Sequence, residues 1–249
     1  MTRTRWAIAF GCLVYALALA AMLPATWVAR SVENGSKQTV LLRGPEGTLW
    51  SGGGHLYLRE RAGTLVDLGA VRWRTSAWGI FAGRLAADLM LRDSAPAIRV
   101  EWSPSSVAVR GLDMELPGRI LSTIAPPLEA LGPQGKLLIR SDSLRIEGDS
   151  VFGLASIEWR PVSLARAQGL AFGSHVARLR GGGSKVDIEL GTTEGPLRLS
   201  GGGVWTRERG LQASGAVEHG ADAAAGIAPF LQGVCSSYAN RRCEFRIAQ

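Results

Sequence analysis

Apolar and polar residues alternate along most of the chain. In runs such as 98–102 and 186–190, apolar side chains occupy every second position and charged side chains lie between them. This period of two is typical of a β-strand in an antiparallel sheet with one buried and one solvated face. Glycine-rich segments at 52–54, 181–183 and 201–203 separate the runs. The pattern therefore predicts a mainly β fold built on a curved antiparallel sheet.

Beyond the N-terminal segment, only residues 118–131 and 221–232 have a helical pattern. Pro126 and Pro127 interrupt the first stretch and Pro229 the second. Proline removes a backbone donor and clashes with the preceding turn of a helix. We therefore expect short helices or loops at both places.

Two parts of the chain resemble each other. The Trp-containing strand 68–74 is similar to 154–160, and the Ile-Ala-Pro segment 124–128 is similar to 227–231. The two similarities occur in the same order, as they would in a tandem repeat. Chance similarity of two amphipathic strands is the alternative. The predicted units are β-meander repeats at about residues 44–135 and 136–249.

The N-terminal segment contains a long uncharged run. Arg3 and Arg5 precede 22 residues, Trp6 to Trp27, that carry no charge. As a helix, the run would span roughly 33 Å, enough for a hydrocarbon core of about 30 Å. Tryptophans at both ends favour the membrane interface, and arginines before the run favour a cytoplasmic N-terminus.

The sequence thus predicts an inner-membrane protein with a single pass. The expected parts are a cytoplasmic tail at 1–5, a transmembrane helix at 6–28 and a periplasmic β-rich domain at 29–249. A cleavable signal peptide is the alternative, since Ala18-Leu19-Ala20 fits a cleavage site. The apolar run, however, is longer than a typical signal sequence and continues past Ala21. Both interpretations place the β-rich part outside the cytoplasm.

The cysteines agree with an oxidising compartment. Cys235 and Cys243 flank a short polar loop near the C-terminus, and Cys12 lies in the apolar run. Such a pair is expected to form a disulfide outside the cytoplasm. A metal site is disfavoured because the nearest histidine, His219, is distant in sequence.

The charge of the chain does not indicate a nucleic-acid partner. The formal net charge is +7, and 25 of the 28 basic residues are arginines. They are scattered along the chain, often beside an acidic residue, whereas a nucleic-acid surface needs them clustered. Scattered arginines are typical of a solvated sheet face, so we expect no nucleic-acid binding.

No arrangement of residues predicts catalysis. The three histidines, His55, His175 and His219, lie far apart, and none has metal ligands at a suitable spacing. Gly181–Lys185 lacks the order of a phosphate-binding loop, and no Gly-x-Ser-x-Gly motif occurs. We therefore expect a protein that is not an enzyme, with no catalytic residues, no cofactor and no metal.

Three tryptophans occupy the apolar positions of predicted strands. Trp73, Trp102 and Trp159 are among the eight tryptophans of the chain. Each ring can bury a large area in a core. Alternatively, one face of the sheet is an open apolar groove that receives lipid or a partner protein. The sequence leaves both possibilities open.

Several segments resemble the type II secretion system protein N family of Gram-negative bacteria. The most specific is the hexapeptide Gly47, Thr48, Leu49, Trp50, Ser51 and Gly52, which follows the N-terminal apolar run. The others are the Trp73 strand, Leu116-Pro117-Gly118, Leu131–Gly135 and Gly195–Gly203. Together they span nearly the whole chain.

This resemblance implies a non-enzymatic inner-membrane accessory subunit of the secretion system that exports folded periplasmic proteins across the outer membrane. It implies other secretion subunits as partners and transfers no catalytic residue. The hexapeptide is also similar to motifs of AsmA-like envelope proteins, which implies a lipid-binding or lipid-transfer module as the alternative. The Cys235–Cys243 loop has no counterpart in the family pattern.

Overall fold

The structure is a computed structural model of the chain. It describes residues 2–60, 63–76, 78–79, 83–91, 97–124, 131–167, 170, 172–220 and 235–248. The chain divides into two compact units. The first unit is Met1–Ala97 and the second is Ile98–Gln249.

Two helices begin the first unit, α1 at Thr2–Ala21 and α2 at Thr26–Gly35. The single helix predicted over residues 6–28 is therefore interrupted between Ala21 and Thr26. Pro24 lies in this interval, and proline disfavours helical backbone at the residue before it. Trp27, predicted to end the first helix, lies in the first turn of the second. Among the described residues, no helix combines the length and apolarity needed to cross a membrane.

The strands of the first unit pair in the order β1-β2-β3-β4, each antiparallel to the next. Their bounds are β1 Val40–Gly47, β2 Ser51–Arg59, β3 Leu65–Ser76 and β4 Leu85–Leu91. Each connection is short, so neighbours in sequence become neighbours in the sheet.

The core of the first unit lies between α2 and these strands. Ala25, Ala29, Leu42 and Trp73 are buried together. Val28, Leu56, Val71 and Leu89 pack around them. The small alanines let α2 approach the sheet closely, and Trp73 is the largest of the buried side chains in this cluster.

Ten described strands form the second unit. They pair in the order β5-β6-β7-β8-β9-β10-β11-β12-β14-β13, and every described neighbouring pair is antiparallel. Their bounds are β5 Ile98–Ser103, β6 Ser106–Pro117, β7 Pro133–Glu147, β8 Ser150–Leu164, β9 Ser174–Gly183, β10 Lys185–Glu194, β11 Leu197–Thr206, β12 Gly210–His219, β13 Ser237–Ala239 and β14 Arg242–Ala248. The prediction of a mainly β, antiparallel fold is confirmed.

The described residues of the second unit include little helix. A five-residue helix, α3 at Ile120–Ile124, and a 3-10 turn at Ala165–Ala167 are present. A short helix was one of the two forms predicted for the stretch 118–131. Residues 125–130 of that stretch lie outside the described residues. The segment predicted helical at 221–232 lies outside the described residues.

The core of the second unit collects at the end of the sheet where β8 meets β9. Val162, Leu164, Ala167, Phe172 and Leu197 are buried there, together with Cys243. The predicted disulfide is present, with Cα atoms of Cys235 and Cys243 5.4 Å apart. The bridge thus ties the last hairpin, β13–β14, into this core. The predicted duplication stays a prediction.

Candidate functional site

The hexapeptide 47–52 forms the tight turn between β1 and β2. The Thr48 hydroxyl oxygen accepts hydrogen bonds from the amides of Trp50 and Ser51, both at 3.2 Å. The Thr48 amide donates to the Ser51 carbonyl at 2.9 Å. Threonine is suited to this position because its hydroxyl replaces backbone partners inside a turn.

Both glycines of the hexapeptide are required by close packing. Gly47 has a φ of +85°, and a Cβ there would lie 2.5 Å from the Ser51 carbonyl oxygen. A Cβ at Gly52 would lie 2.5 Å from the Glu46 carbonyl oxygen and 2.6 Å from the Trp73 ring. Any larger residue would displace backbone, since these distances are well below van der Waals contact.

The outer side of the turn holds the end of the N-terminal helix. The Trp50 indole N–H donates to the Ala20 carbonyl at 2.9 Å. The Leu49 amide donates to the Leu23 carbonyl at 2.8 Å, and Pro24 forms a β-bridge with Thr48. These groups satisfy carbonyls that the end of a helix leaves without intrahelical partners. We call this set of contacts the anchor joint.

The inner side of the turn is fixed by β3. The Trp73 indole N–H donates to the Thr48 carbonyl at 3.1 Å, and the Trp73 side chain is only 6% exposed. The Thr75 hydroxyl donates to the Leu49 carbonyl at 3.0 Å, and its amide donates to the Trp50 carbonyl at 2.7 Å. Carbonyls of three consecutive motif residues are thus satisfied by one strand.

Trp159 makes a related contact in the second unit. Its indole N–H donates to the Gln134 carbonyl at 2.6 Å, and its half-buried ring packs against the core. Gly135 beside it has a φ of +89°. The Gly135 carbonyl accepts from the Gly118 amide at 2.7 Å. Gly135 lies near the start of β7, so here a strand binds the segment that leads into α3, and no N-terminal helix is involved.

One face of the second unit is apolar over many strands. Trp102 pairs with Val107, Val107 with Ile146, and Ile146 with Val151, so all four side chains share a face. Trp102 is 51% exposed and Ile146 46% exposed. We call this the apolar face. Of the three tryptophans singled out above, Trp73 is therefore buried, Trp159 half-buried and Trp102 exposed.

The opposite face carries most of the charge. Its ion pairs are between exposed side chains, such as Arg110 with Glu101 at 2.9 Å and Lys136 with Glu115 at 2.8 Å. Exposed pairs of this kind contribute little to stability or chemistry. An open cavity of about 540 Å³ crosses β7 to β10. It is lined by Arg140, Leu154, Arg178, Arg180, Asp187 and Glu189.

The histidines take part in separate local networks. His219 is 7% exposed and its Nε2 is hydrogen-bonded to the Tyr238 hydroxyl at 2.7 Å. His175 Nδ1 lies 3.0 Å from the Thr192 hydroxyl, and burial lowers the pKa of the His175 imidazole despite a backbone contact with Phe172 that raises it. Among the described residues, no group of three or more His, Cys, Asp or Glu side chains is placed to hold a metal ion.

Two features were missed by sequence reasoning. The contact of Trp50 with Ala20 joins residues 30 apart in sequence, and no local pattern marks it. Trp78, which follows β3, is 87% exposed. The sequence does mark the segment around Trp78, because the nine residues from Thr75 to Gly83 carry no charge and are flanked by two arginines.

Comparison with known proteins identifies the family. Residues 38–246 match the family described as type II secretion system (T2SS), protein N. No curated protein and no solved structure matches the chain significantly. The match covers the hexapeptide, the indole contacts of Trp73 and Trp159, and the disulfide. The chain therefore belongs to the type II secretion system protein N family.

Proposed function

We propose that this protein is a non-enzymatic, single-pass inner-membrane accessory subunit of the type II secretion system. Its N-terminus lies in the cytoplasm and residues 29–249 lie in the periplasm, where they contribute to export of folded proteins across the outer membrane. Other subunits of the secretion system are its partners. The observation that carries the proposal is the family match over residues 38–246.

The anchor joint supports a structural role. The turn 47–52 is bonded on one side to the end of α1 and on the other to β3. A domain fixed in this way keeps a defined orientation relative to the N-terminal helix. Such an arrangement suits a subunit that positions other parts of a membrane machine.

Apolar side chains on α1 support the membrane location. Trp6, Phe10, Val14 and Tyr15 are between 48% and 77% exposed, and Leu19 is 53% exposed. A helix surface of this kind is unfavourable in water and favourable in lipid. The disulfide supports an oxidising location for the second unit.

Export is the direct test. Deletion of the gene should cause a secreted enzyme to accumulate in the periplasm, and the intact gene should restore its export. Unchanged export in the deletion strain would refute a role in secretion. A Trp50→Phe variant, which removes the bond to Ala20, should restore export only partly. His55→Gln, at an exposed position of β2, serves as the control and should restore export fully.

Membrane attachment has its own test. The full-length protein should stay with the membrane pellet after carbonate washing, and a protease added to spheroplasts should digest residues 29–249. Release by carbonate, or an N-terminus found near Ala21, would contradict the anchor. Neither result depends on the export assay.

A second candidate function is lipid binding, which the apolar face favours. Trp102, Ile146 and Ile247 are each at least 40% exposed on this face. Photo-crosslinking residues placed at Trp102 should capture phospholipid in cells. The matched control is Phe152, which neighbours Val151 in β8 and so lies on the opposite face, at 40% exposure. Equal labelling at both positions, or none, would contradict a lipid-binding face.

A further inference from the structure

The strand β3 ends close to the anchor joint. Thr75, next to its last residue, bonds to the backbone of Trp50 and Leu49. Those two residues bond in turn to Ala20 and Leu23, at the end of α1. The connection that follows β3 therefore begins beside the end of the N-terminal helix.

Trp78 is the first described residue of that connection. At 87% it is the most exposed of the large apolar side chains described in the structure. The backbone next to it is fixed, because the Arg84 amide donates to the Gly79 carbonyl at 2.8 Å. An indole exposed to this extent is costly in water but favourable at a membrane–water interface, where the ring meets apolar lipid and its N–H stays hydrated.

The surroundings of Trp78 fit a lipid surface. Arg74 and Arg84 bound the uncharged segment, and both are exposed. Arginines at this level interact favourably with anionic headgroups. Met22 and Trp27, at the end of α1 and the start of α2, are 77% and 58% exposed and add apolar surface near the joint.

From these observations we infer that Trp78 is a second membrane contact, inserted in the periplasmic interface of the bilayer beside the N-terminal anchor. The inference rests on the membrane location proposed above. Two contacts, one from α1 and one from the end of β3, restrict tilting of the first unit against the membrane. A single flexible attachment would not have this effect.

The test uses the full-length protein reconstituted in vesicles of phosphatidylethanolamine and phosphatidylglycerol. A fluorophore is attached at Ser76→Cys in a Cys12→Ser background, which keeps Trp78 intact. Lipids spin-labelled in the headgroup region serve as quenchers. The matched control carries the fluorophore at Thr64→Cys, an exposed position just before β3 and so at the opposite end of that strand from Ser76.

We expect quenching at position 76 to exceed that at position 64 by roughly twofold or more, as for a probe at the interface. Trp78→Ser should reduce quenching at 76 to the level at 64, and because Trp78 is 87% exposed its replacement leaves the core unchanged. Equal quenching at 76 and 64, or no effect of Trp78→Ser, would overturn the inference.

A label on the native Cys12 in α1 separates the two proposals. If Cys12 is quenched by lipids labelled deep in the acyl chain while position 76 is not, the anchor stands and the second contact is refuted. If Cys12 itself is not quenched, the proposed membrane anchor fails and the inference fails with it.

Discussion

Trp73 in the first unit and Trp159 in the second make the same kind of hydrogen bond in different surroundings. Each indole N–H donates to a carbonyl 25 residues earlier, on Thr48 or on Gln134. Trp73 is 6% exposed, whereas Trp159 is only half-buried. The bond is thus shared by both units, but the depth of the ring differs.

The segments that accept these bonds differ in structure and in partner. In the first unit the acceptor is the turn 47–52, which also forms the anchor joint with α1. In the second unit the acceptor lies at the start of β7, where Gly135 binds Gly118 in the segment before α3. The same indole hydrogen bond therefore occurs in two different backbone settings. Substitutions in both units measure how far the two settings are equivalent.

Glycine-to-alanine substitutions should have the largest effect. Gly135→Ala combines a positive φ with a Cβ in contact with the Pro161 carbonyl, and should destabilise the second unit by about 3 kcal/mol. Gly52→Ala should destabilise the first unit by about 2 kcal/mol. Hydrogen exchange measured by mass spectrometry reports the two units separately. Gly182→Ala, with open space around its Cβ, is the control and should change little.

Removal of the disulfide should lower the stability of the second unit and leave that of the first unit unchanged. Cys235→Ala with Cys243→Ala should destabilise the second unit by about 2–3 kcal/mol, because a closed loop restricts the unfolded chain and Cys243 is buried in the core. The first unit should keep its hydrogen-exchange protection. Equal loss of protection in both units would show that they unfold together.

Removal of each indole N–H should show how burial changes the contribution of its hydrogen bond to the free energy of unfolding. Trp73→Phe should cost about 2 kcal/mol, because the Thr48 carbonyl loses its partner in a buried place. Trp159→Phe should cost about 1 kcal/mol, since its ring is half-buried and water reaches it more easily. Denaturant unfolding of both variants measures the two costs. Identical values would contradict the role assigned to burial.

The pH dependence should be the smallest effect and confined to the second unit. Burial lowers the pKa of His175 in the folded state, so the unfolded state binds a proton more readily. Neutral His175 therefore contributes to the free energy of unfolding above the unfolded pKa of about 6.5. That contribution is lost as pH falls through the lower pKa of the folded state. His175→Gln should flatten the decline in stability below neutral pH. His55→Gln, at an exposed position of β2, should keep the wild-type decline.

Much of the fold was predictable because strands and turns depend on local chemistry. The alternation at 186–190 appears as β10, and the glycine segments at 181–183 and 201–203 lie within β9 and β11. The glycine segments were predicted to separate strands and instead continue them. Glycines allow neighbouring strands to approach closely, as where a Cβ at Gly201 would lie 2.5 Å from the Ser214 carbonyl oxygen.

The helices were predicted less well. The apolar run Trp6–Trp27 predicts one helix, but Pro24 lies within the run and α1 ends before it, at Ala21. The hydrophobicity of a segment indicates whether it prefers lipid or water, whereas a proline limits how far a helix can continue. At Pro24 these two properties favour different structures, and the backbone follows the restriction imposed by proline.

The alternating strands, the pairing of Cys235 with Cys243 and the family hexapeptide are visible in the sequence alone. They depend on side-chain period, spacing and turn chemistry, which are local. The contact of Trp50 with Ala20, the burial of Trp73 and the exposure of Trp102 arise only when the chain folds. Contacts across 25 or 30 residues depend on the register and approach of strands and helix ends, because no local pattern carries that geometry.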